Sequence, residues 1–272
     1  LRNGDIRLRV SSQNHLGGEI EANFQLADGS IEFQPPPAVP APGTLTGTAL
    51  DQDIARFLTQ ATFGATTATI NDLRTRVTNA GGNRITAYSQ WIDEQFALSP
   101  VSLEAYTRAA NNQAISIYLN HVVPPNPDYE PDYHNRRRGW WLAALSAPDQ
   151  LRQRVAFALS EIFVISDNNN VVHHRSYATG AYYDMMAQAA NGSYGTLLKD
   201  VSKHPLMGYY LSHLGNRAKV LGPNGEVLSS PDENYAREIM QLFSIGLVQL
   251  HPDGSLKLDG SNLPIPTYNQ DD

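Results

Sequence analysis

Two glutamates, Glu238 and Glu161, stand in the kind of surroundings that acid–base chemistry requires. Glu238 shares one helical face with Asn234 and Gln241, and apolar residues border that face. A carboxyl group in such a setting is expected to be partly buried, where it could hold a proton and act as a general acid or base. The alternative is a buried ion pair between Glu238 and an arginine of another helix.

Glu161 lies beside Ser160 in the apolar run LRQRVAFALSEIFVI, residues 151–165. Arg154 comes seven residues earlier on the same helical face, which predicts an internal ion pair between Arg154 and Glu161. The alternative is that Glu161 and Glu238 face each other across a pocket. A pair of carboxyl groups is the minimum that glycoside hydrolysis requires.

The eight histidines are scattered, and neither His-x3-His nor His-Glu-x2-His spacing occurs. His204 precedes a proline at a predicted helix start, and His213 stands at the predicted end of that helix. Either histidine could join Asp184 or Glu238 in an acid–base or metal cluster. The alternative for each histidine is an ordinary hydrogen-bonding role.

No cofactor is evident from the motifs. Asp167 and the three asparagines that follow it could offer oxygen ligands to calcium, although the EF-hand spacing is lacking. The sequence contains no Gly-x-Ser-x-Gly elbow, P-loop or dinucleotide fingerprint. The absence of cysteine excludes disulfides, thiolate zinc sites and cysteine nucleophiles.

A basic run, residues 136–138, precedes Trp140 and Trp141, whose rings could stack on a base or a sugar. The alternative is a solvated helix end beside two buried anchors. Lys and Arg number 20 against 27 Asp and Glu, and the net charge of −7 would repel a phosphate backbone. We therefore expect no nucleic-acid partner.

The stretch SPDENYAREIMQLFSIGL, residues 230–247, predicts a helix with a capping box. Ser230 is expected to be the N-cap, Pro231 the first helical residue and Glu233 the residue that closes the box. Glu233 and Arg237 are four residues apart and can form a surface ion pair. Arg237 joins Asn234 and Gln241 as a candidate binding residue, together with Asp184, Trp140 and Trp141.

The elements that must position these residues are mainly helices. Alternating apolar residues predict strands in residues 1–34, with a hairpin turn at 27–29, and the proline-rich residues 35–48 predict a stiff spacer. Residues 49–272 are predicted to form a multi-helix globular domain with short β-hairpins. Its helices are expected to start near Asp51 and Thr67, to include 91–96, and to cover 151–165, 182–190 and 205–214. Turns are predicted at 222–225 and 252–254, and a long loop at 121–133.

Composition favours an exported protein, secreted or in the cell envelope. Charged residues make up only 17 %, there are 13 Tyr and 17 Pro, and cysteine is absent. No run of 18 apolar residues exists, so no transmembrane segment is expected. The chain begins without a methionine, which favours a processed product or a fragment.

Five blocks in order resemble one bacterial family, domain of unknown function 1800. They are ARFLTQATFG (55–64), LRQRVAFALSEIFVIS (151–166), YYDMMAQAANGSYGTLLKDVSKHPLMGYYLSHLGN (182–216), PDENYAREIMQLFSIGL (231–247) and PIPTYNQDD (264–272). The resemblance implies an α-rich, bacterial and commonly exported protein over residues 51–272, with no agreed reaction. The family continues past a segment like the last block into more helices. The resemblance therefore implies an incomplete domain, explained by cleavage after Asp272 or by a partner chain.

These observations support two functions of different classes. The first is an envelope or extracellular protein that binds or organises an extracellular polymer, or assembles with partner chains. The second is a carboxylate-based hydrolase of a glycan or similar polymer, which would use Glu238 with Glu161 or a nearby histidine. A metal-dependent enzyme has less support, because the ligand spacing is missing.

Overall fold

The computed structural model describes residues 6–10, 20–24, 44–121 and 134–269. This part of the chain is mainly α-helical, as predicted, with eleven helices and two small antiparallel sheets. Strand β1 (Ile6–Val10) pairs with β2 (Ile20–Phe24), and Ile6 lies opposite Phe24. The predicted hairpin turn at 27–29 and most of the predicted spacer lie outside the described residues, so the division into three segments stays a prediction.

The first helical layer contains α1 (Gly47–Ala61), α2 (Thr67–Asn79) and α3 (Arg84–Ala97). Apolar residues three or four apart place one face of each helix in a shared core. The largest contributors are Ile54, Leu58, Leu73, Val77 and Trp91. Helix α1 begins at Gly47, inside the predicted spacer, because Thr46 already has the extended backbone of an N-cap.

The second layer packs α4 (Leu103–His121), α5 (His134–Ser146), α6 (Gln150–Ser160) and α8 (Ser176–Gln188) around a second core, with the one-turn α7 (Asn170–His173) beside them. Two glycines permit close helix contacts with α4. A Cβ on Gly139 of α5 would lie 2.9 Å from the backbone nitrogen of Thr107, and one on Gly180 of α8 would lie 2.8 Å from Cα of Glu104. Most of the predicted loop at 121–133 lies outside the described residues.

The remaining elements are α9 (Tyr194–Lys203), α10 (Pro205–Tyr210), β3 (Val220–Leu221), β4 (Val227–Ser229) and α11 (Asn234–Gln241). The predicted turn at 222–225 is confirmed, since it joins the antiparallel strands β3 and β4. The turn at 252–254 is confirmed as well, because Leu250 and Leu256 form an antiparallel bridge across it.

Two predicted helices are shorter than expected. Helix α6 ends at Ser160, where the sequence predicted a helix to residue 165. Beyond it the carbonyl of Phe163 accepts the hydroxyl of Tyr182 at 2.9 Å, and the buried ring of Phe163 joins the core. The apolar run is therefore buried without continuing the helix. Helix α10 ends at Tyr210, although the prediction extended to residue 214.

The prediction of a capping box at Ser230 is wrong. Helix α11 begins at Asn234, and its N-cap Glu233 makes no side-chain capping bond. The amide of Asn216 binds the backbone of Asp232, donating to its carbonyl at 2.8 Å and accepting its N–H at 3.1 Å. Asp232 in turn accepts the N–H of Asn234 at 2.8 Å. The side-chain amide of Asn216 thus binds the backbone N–H and carbonyl of Asp232, a residue that the predicted longer helix would have included.

Within the described ranges, no helix combines the length and the apolar character needed to cross a membrane.

Candidate functional site

A cavity of about 380 Å³ opens between α5, the end of α6, the segment that follows it, and α8. Aromatic and charged side chains make up most of its wall. The aromatic residues are Trp140, Trp141, Phe157, Phe163, Tyr182 and Tyr183, and the others are Arg136, Arg137, Ser160, Glu161, Val164, Ile165, Asp167 and Thr179. The volume lies within the range of about 300–1,000 Å³ that is usual for ligand sites.

The two tryptophans of α5 meet nearly at right angles. Their ring centroids are 4.9 Å apart, and the ring planes differ by 79°. Trp140 is half-buried and packs edge-on against Phe63, whereas Trp141 is 59 % exposed. The interpretation of both as buried anchors is therefore wrong for Trp141. Both rings line the cavity.

One corner of the cavity is built from opposite charges. The carboxylate of Asp167 accepts hydrogen bonds from Arg136 and from Nε of Arg137, the latter at 3.3 Å. The Asp167 side chain is only 10 % exposed, and the buried Nε of Arg136 has no hydrogen-bond partner in the described part of the chain. This corner fixes the start of α5 to the segment after α6. The sequence prediction did not include this contact.

Two of the four residues considered for calcium, Asp167 and Asn169, have protein partners for their side-chain oxygens. Arginines engage Asp167, and Oδ1 of Asn169 accepts the N–H groups of Val171 and Val172 at 2.9 and 3.3 Å as the cap of α7. Among the described residues, no group of three or more His, Asp or Glu side chains could hold a metal ion.

Glu161 is exposed, because it is the C-cap of the shortened α6. The predicted ion pair with Arg154 is absent from the described residues. The guanidinium of Arg154 lies instead over the rings of Phe63 and Phe157, 5.5 and 5.7 Å from their centroids. The carboxylate of Glu161 lines the cavity and receives no hydrogen bond or ion pair from the described part of the chain.

The hydroxyl groups of the cavity all donate to backbone carbonyls. Ser160 donates to Phe157, Thr179 to Arg175, Tyr182 to Phe163 and Tyr183 to Gln153, over 2.7–3.0 Å. Burial raises the pKa of Tyr182 and of Tyr183 well above the usual range, so both stay neutral. Among the described residues of the wall, the carboxylate of Glu161 is therefore the polar group left to bind a ligand. The sequence prediction missed both tyrosines, which it treated only as part of a helix.

Glu238 does not belong to this cavity. It is absent from the wall that contains Glu161, so this cavity does not bring the two glutamates together. Among the described residues, its buried Oε2 has no hydrogen-bond partner, and no arginine pairs with it. The alternative of a buried ion pair is therefore wrong as well.

The polar neighbours of Glu238 have separate contacts. Asn234 is exposed, and Gln241 donates from Nε2 to the hydroxyl of Tyr268. Arg237 forms the predicted surface ion pair with Glu233, at 3.5 Å with both side chains more than half exposed. The residues of the predicted binding face of α11 therefore make separate contacts in the structure.

His213 lies beyond the end of α10 and packs on Tyr235 of α11, with 4.0 Å between the ring centroids. Its Nε2 is 3.1 Å from the carbonyl of Ser202, while its Nδ1 is buried without a partner. The hydroxyls of Tyr235 and Ser202 are hydrogen-bonded at 2.5 Å. His213 therefore approaches the helix that carries Glu238, but no hydrogen bond joins the two side chains in the described residues.

His204 and Asp184 both cap helices. Nδ1 of His204 accepts the N–H of Leu206 at 3.2 Å at the start of α10, and burial lowers the pKa of His204. Asp184 accepts the N–H of Leu103 at the start of α4. Burial raises the pKa of Asp184, and hydrogen bonds from residues 102–104 oppose this increase. The structure places neither residue in the wall of the cavity.

Comparison with known proteins gives one family match. Residues 56–272 match the family described as "Protein of unknown function (DUF1800)". No curated protein and no solved structure matches the chain.

Proposed function

We propose that this chain, which belongs to the DUF1800 family of proteins of unknown function, binds an extracellular glycan in the cavity between α5 and α8. We further propose that it does so as a secreted or envelope protein. The observation that supports this function most strongly is the combination of two indole rings, one of them exposed, with charged groups in one cavity.

The aromatic wall suits a sugar ring. A pyranose has faces of C–H groups, which pack well against the flat apolar surface of an indole, and a rim of hydroxyls. Trp140 and Trp141 supply such surfaces at the wall and the mouth of the cavity. A purely apolar ligand would leave the carboxylate of Glu161, which has no protein partner among the described residues, without a hydrogen-bond donor, at a cost in free energy.

The charged groups suit the hydroxyl rim. The carboxylate of Glu161 can only accept hydrogen bonds, and the guanidinium of Arg137 can only donate them. A sugar hydroxyl can do both, so one sugar can donate to Glu161 and accept a further hydrogen bond from the guanidinium of Arg137, which already binds Asp167. Two arginines and two carboxylates line the cavity, so its formal charge is zero and a neutral glycan is favoured.

The alternative is a carboxylate-based glycan hydrolase. Glu161 and Asp167 are the carboxylates of the cavity, and two arginines engage Asp167. Such a hydrolase would therefore use Glu161 as its acid or base without the predicted help of Glu238. Binding has the stronger support, because the second carboxylate that hydrolysis requires is held in ion pairs.

Intrinsic fluorescence provides the test, because two of the three tryptophans of the chain line the cavity. The protein is titrated with a panel of neutral, acidic and amino polysaccharides. The tryptophan emission should change when a neutral glycan is added. Glu161→Gln should weaken binding about tenfold, equivalent to about 1.4 kcal/mol. Glu233→Gln, which alters an exposed carboxylate outside the cavity, should bind like the wild type.

Absence of binding to every glycan, or equal binding by both variants and the wild type, would contradict the proposal. An assay for new reducing ends distinguishes the alternative. Release of sugar ends by the wild type but not by Glu161→Gln, with binding retained by the variant, would favour the hydrolase.

A further inference from the structure

We infer that the ligand spans at least two sugar units, one stacked on Trp140 within the cavity and a neighbouring unit stacked on Trp141 at the mouth. This inference rests on the proposed glycan-binding function and specifies the ligand as a chain instead of a single sugar.

The angle between the two indoles supports two separate stacking positions. A ring that stacks face-to-face must lie parallel to the indole plane. The planes of Trp140 and Trp141 differ by 79°, so one flat ring cannot stack on both faces at once. Two stacked units joined by a glycosidic bond can use both faces, since rotation about that bond allows adjacent rings to turn.

The exposure of the two side chains gives the order of the units. Trp140 is half-buried and touches Phe63 and Phe157, which places its ring at the inner wall. Trp141 is 59 % exposed although it lines the same cavity. Trp141 therefore lies nearer to solvent than Trp140, at the mouth of the cavity.

The surface of α5 continues this apolar path away from the cavity. Leu145 follows Trp141 by four residues, so the two side chains are neighbours on one helical face. Leu145 is 76 % exposed and Leu142 is 41 % exposed. A glycan chain that leaves the mouth over Trp141 would therefore meet further apolar surface before it reaches solvent.

A length series tests the inference. The sugars are the monosaccharide to the hexasaccharide of the neutral glycan that binds in the panel above, titrated against the wild type and Trp141→Ala. The affinity of the wild type should rise about tenfold from one unit to two or three. In Trp141→Ala the affinity should not rise with length, because one stacking contact is lost. The affinity of this variant for the monosaccharide should stay within about twofold of the wild-type value, since that unit stacks on Trp140.

Tyr209→Ala is the matched control, because Tyr209 is an aromatic residue exposed by 44 % outside the cavity wall. It should preserve the whole length dependence. A wild-type affinity that is independent of length, or an equal loss at every length in Trp141→Ala, would overturn this inference while glycan binding stands. If the wild type binds no length, the proposed function itself fails.

Discussion

The carboxylate of Asp184 on α8 accepts the backbone N–H of Leu103, the first residue of α4, at 2.5 Å. The same carboxylate accepts the hydroxyl of Ser102 at 2.6 Å and the N–H of Glu104 at 3.2 Å. The amide groups at a helix start have no partners within the helix. Here Asp184, about 80 positions later in the chain, provides the missing acceptors, and this contact fixes α8 against α4.

Removal of this carboxylate should destabilise the protein. Asp184→Ala leaves buried amide groups without an acceptor, and we expect the free energy of unfolding to fall by about 2–4 kcal/mol. Asp184→Asn keeps one acceptor oxygen and should cost less. Urea denaturation monitored by circular dichroism measures both. Asp232→Ala, which removes only an exposed turn contact, is the control and should cost less than about 1 kcal/mol. An equal effect of both alanine variants would refute the role of Asp184.

Gly180 should not tolerate a side chain. Alanine normally stabilises a helix relative to glycine by about 1 kcal/mol. At residue 180, however, the new Cβ would lie 2.8 Å from Cα of Glu104, and a backbone atom cannot move aside without a shift of the helix. We expect Gly180→Ala to lower the free energy of unfolding by about 1–3 kcal/mol.

Gly195 of α9 is the matched comparison, because a Cβ there would meet only Oγ of Ser193 at 3.8 Å. Gly195→Ala should therefore be neutral or stabilising when urea denaturation, monitored by circular dichroism, measures the free energy of unfolding of both glycine variants. A stabilised Gly180→Ala variant would mean that α4 and α8 are further apart than described.

His204 should make stability depend on pH. Its Nδ1 accepts the N–H of Leu206 only when unprotonated, and burial lowers its pKa below the ordinary value of 6.5. The unfolded chain therefore takes up the proton first as the pH falls. The stability from neutral His204 is present above pH 6.5 and is lost as the pH falls through the lowered pKa of the folded protein.

His204→Asn retains a capping oxygen and removes this titration. Unfolding free energies measured between pH 7.5 and pH 5 should therefore decline less in the variant than in the wild type. His251→Asn, at an exposed position, should leave the slope unchanged. Identical slopes for His204→Asn and the wild type would show that another group controls the pH dependence.

The buried carboxyl group of Glu238 should lower the free energy of unfolding of the protein. Its Oε2 is buried without a hydrogen-bond partner, and such an atom costs free energy. Glu238→Gln removes the negative charge, so we expect a gain of about 1 kcal/mol in the free energy of unfolding. Glu233→Gln on the same segment is exposed and should change stability by less than about 0.5 kcal/mol. A clear loss of stability in Glu238→Gln would instead indicate a partner for the carboxylate, as the sequence had suggested.

The candidate site was only partly predictable. The sequence singled out Trp140, Trp141 and Glu161, and the structure brings these three into one cavity. It also singled out Asp184 and His204, which cap helices, because a polar residue near apolar neighbours looks the same whether it binds a ligand or a backbone amide. The contact between Arg136 and Asp167 was missed, since a charge pair separated by 31 residues leaves no local pattern.

The sequence by itself determined the family, the helical class, the first-layer helices and the two turns at 222–225 and 252–254. These features depend on neighbours within a few residues, through helical periodicity and turn chemistry, and on blocks of residues in a fixed order. Only the tertiary structure decided where α6 ends, which carboxylate faces the cavity and which one caps α4. Each of these outcomes depends on contacts between residues that are distant in the chain, such as Tyr182 with the carbonyl of Phe163 and Asp184 with Leu103. Such contacts form only when the layers pack, and there they override the local preference of the chain.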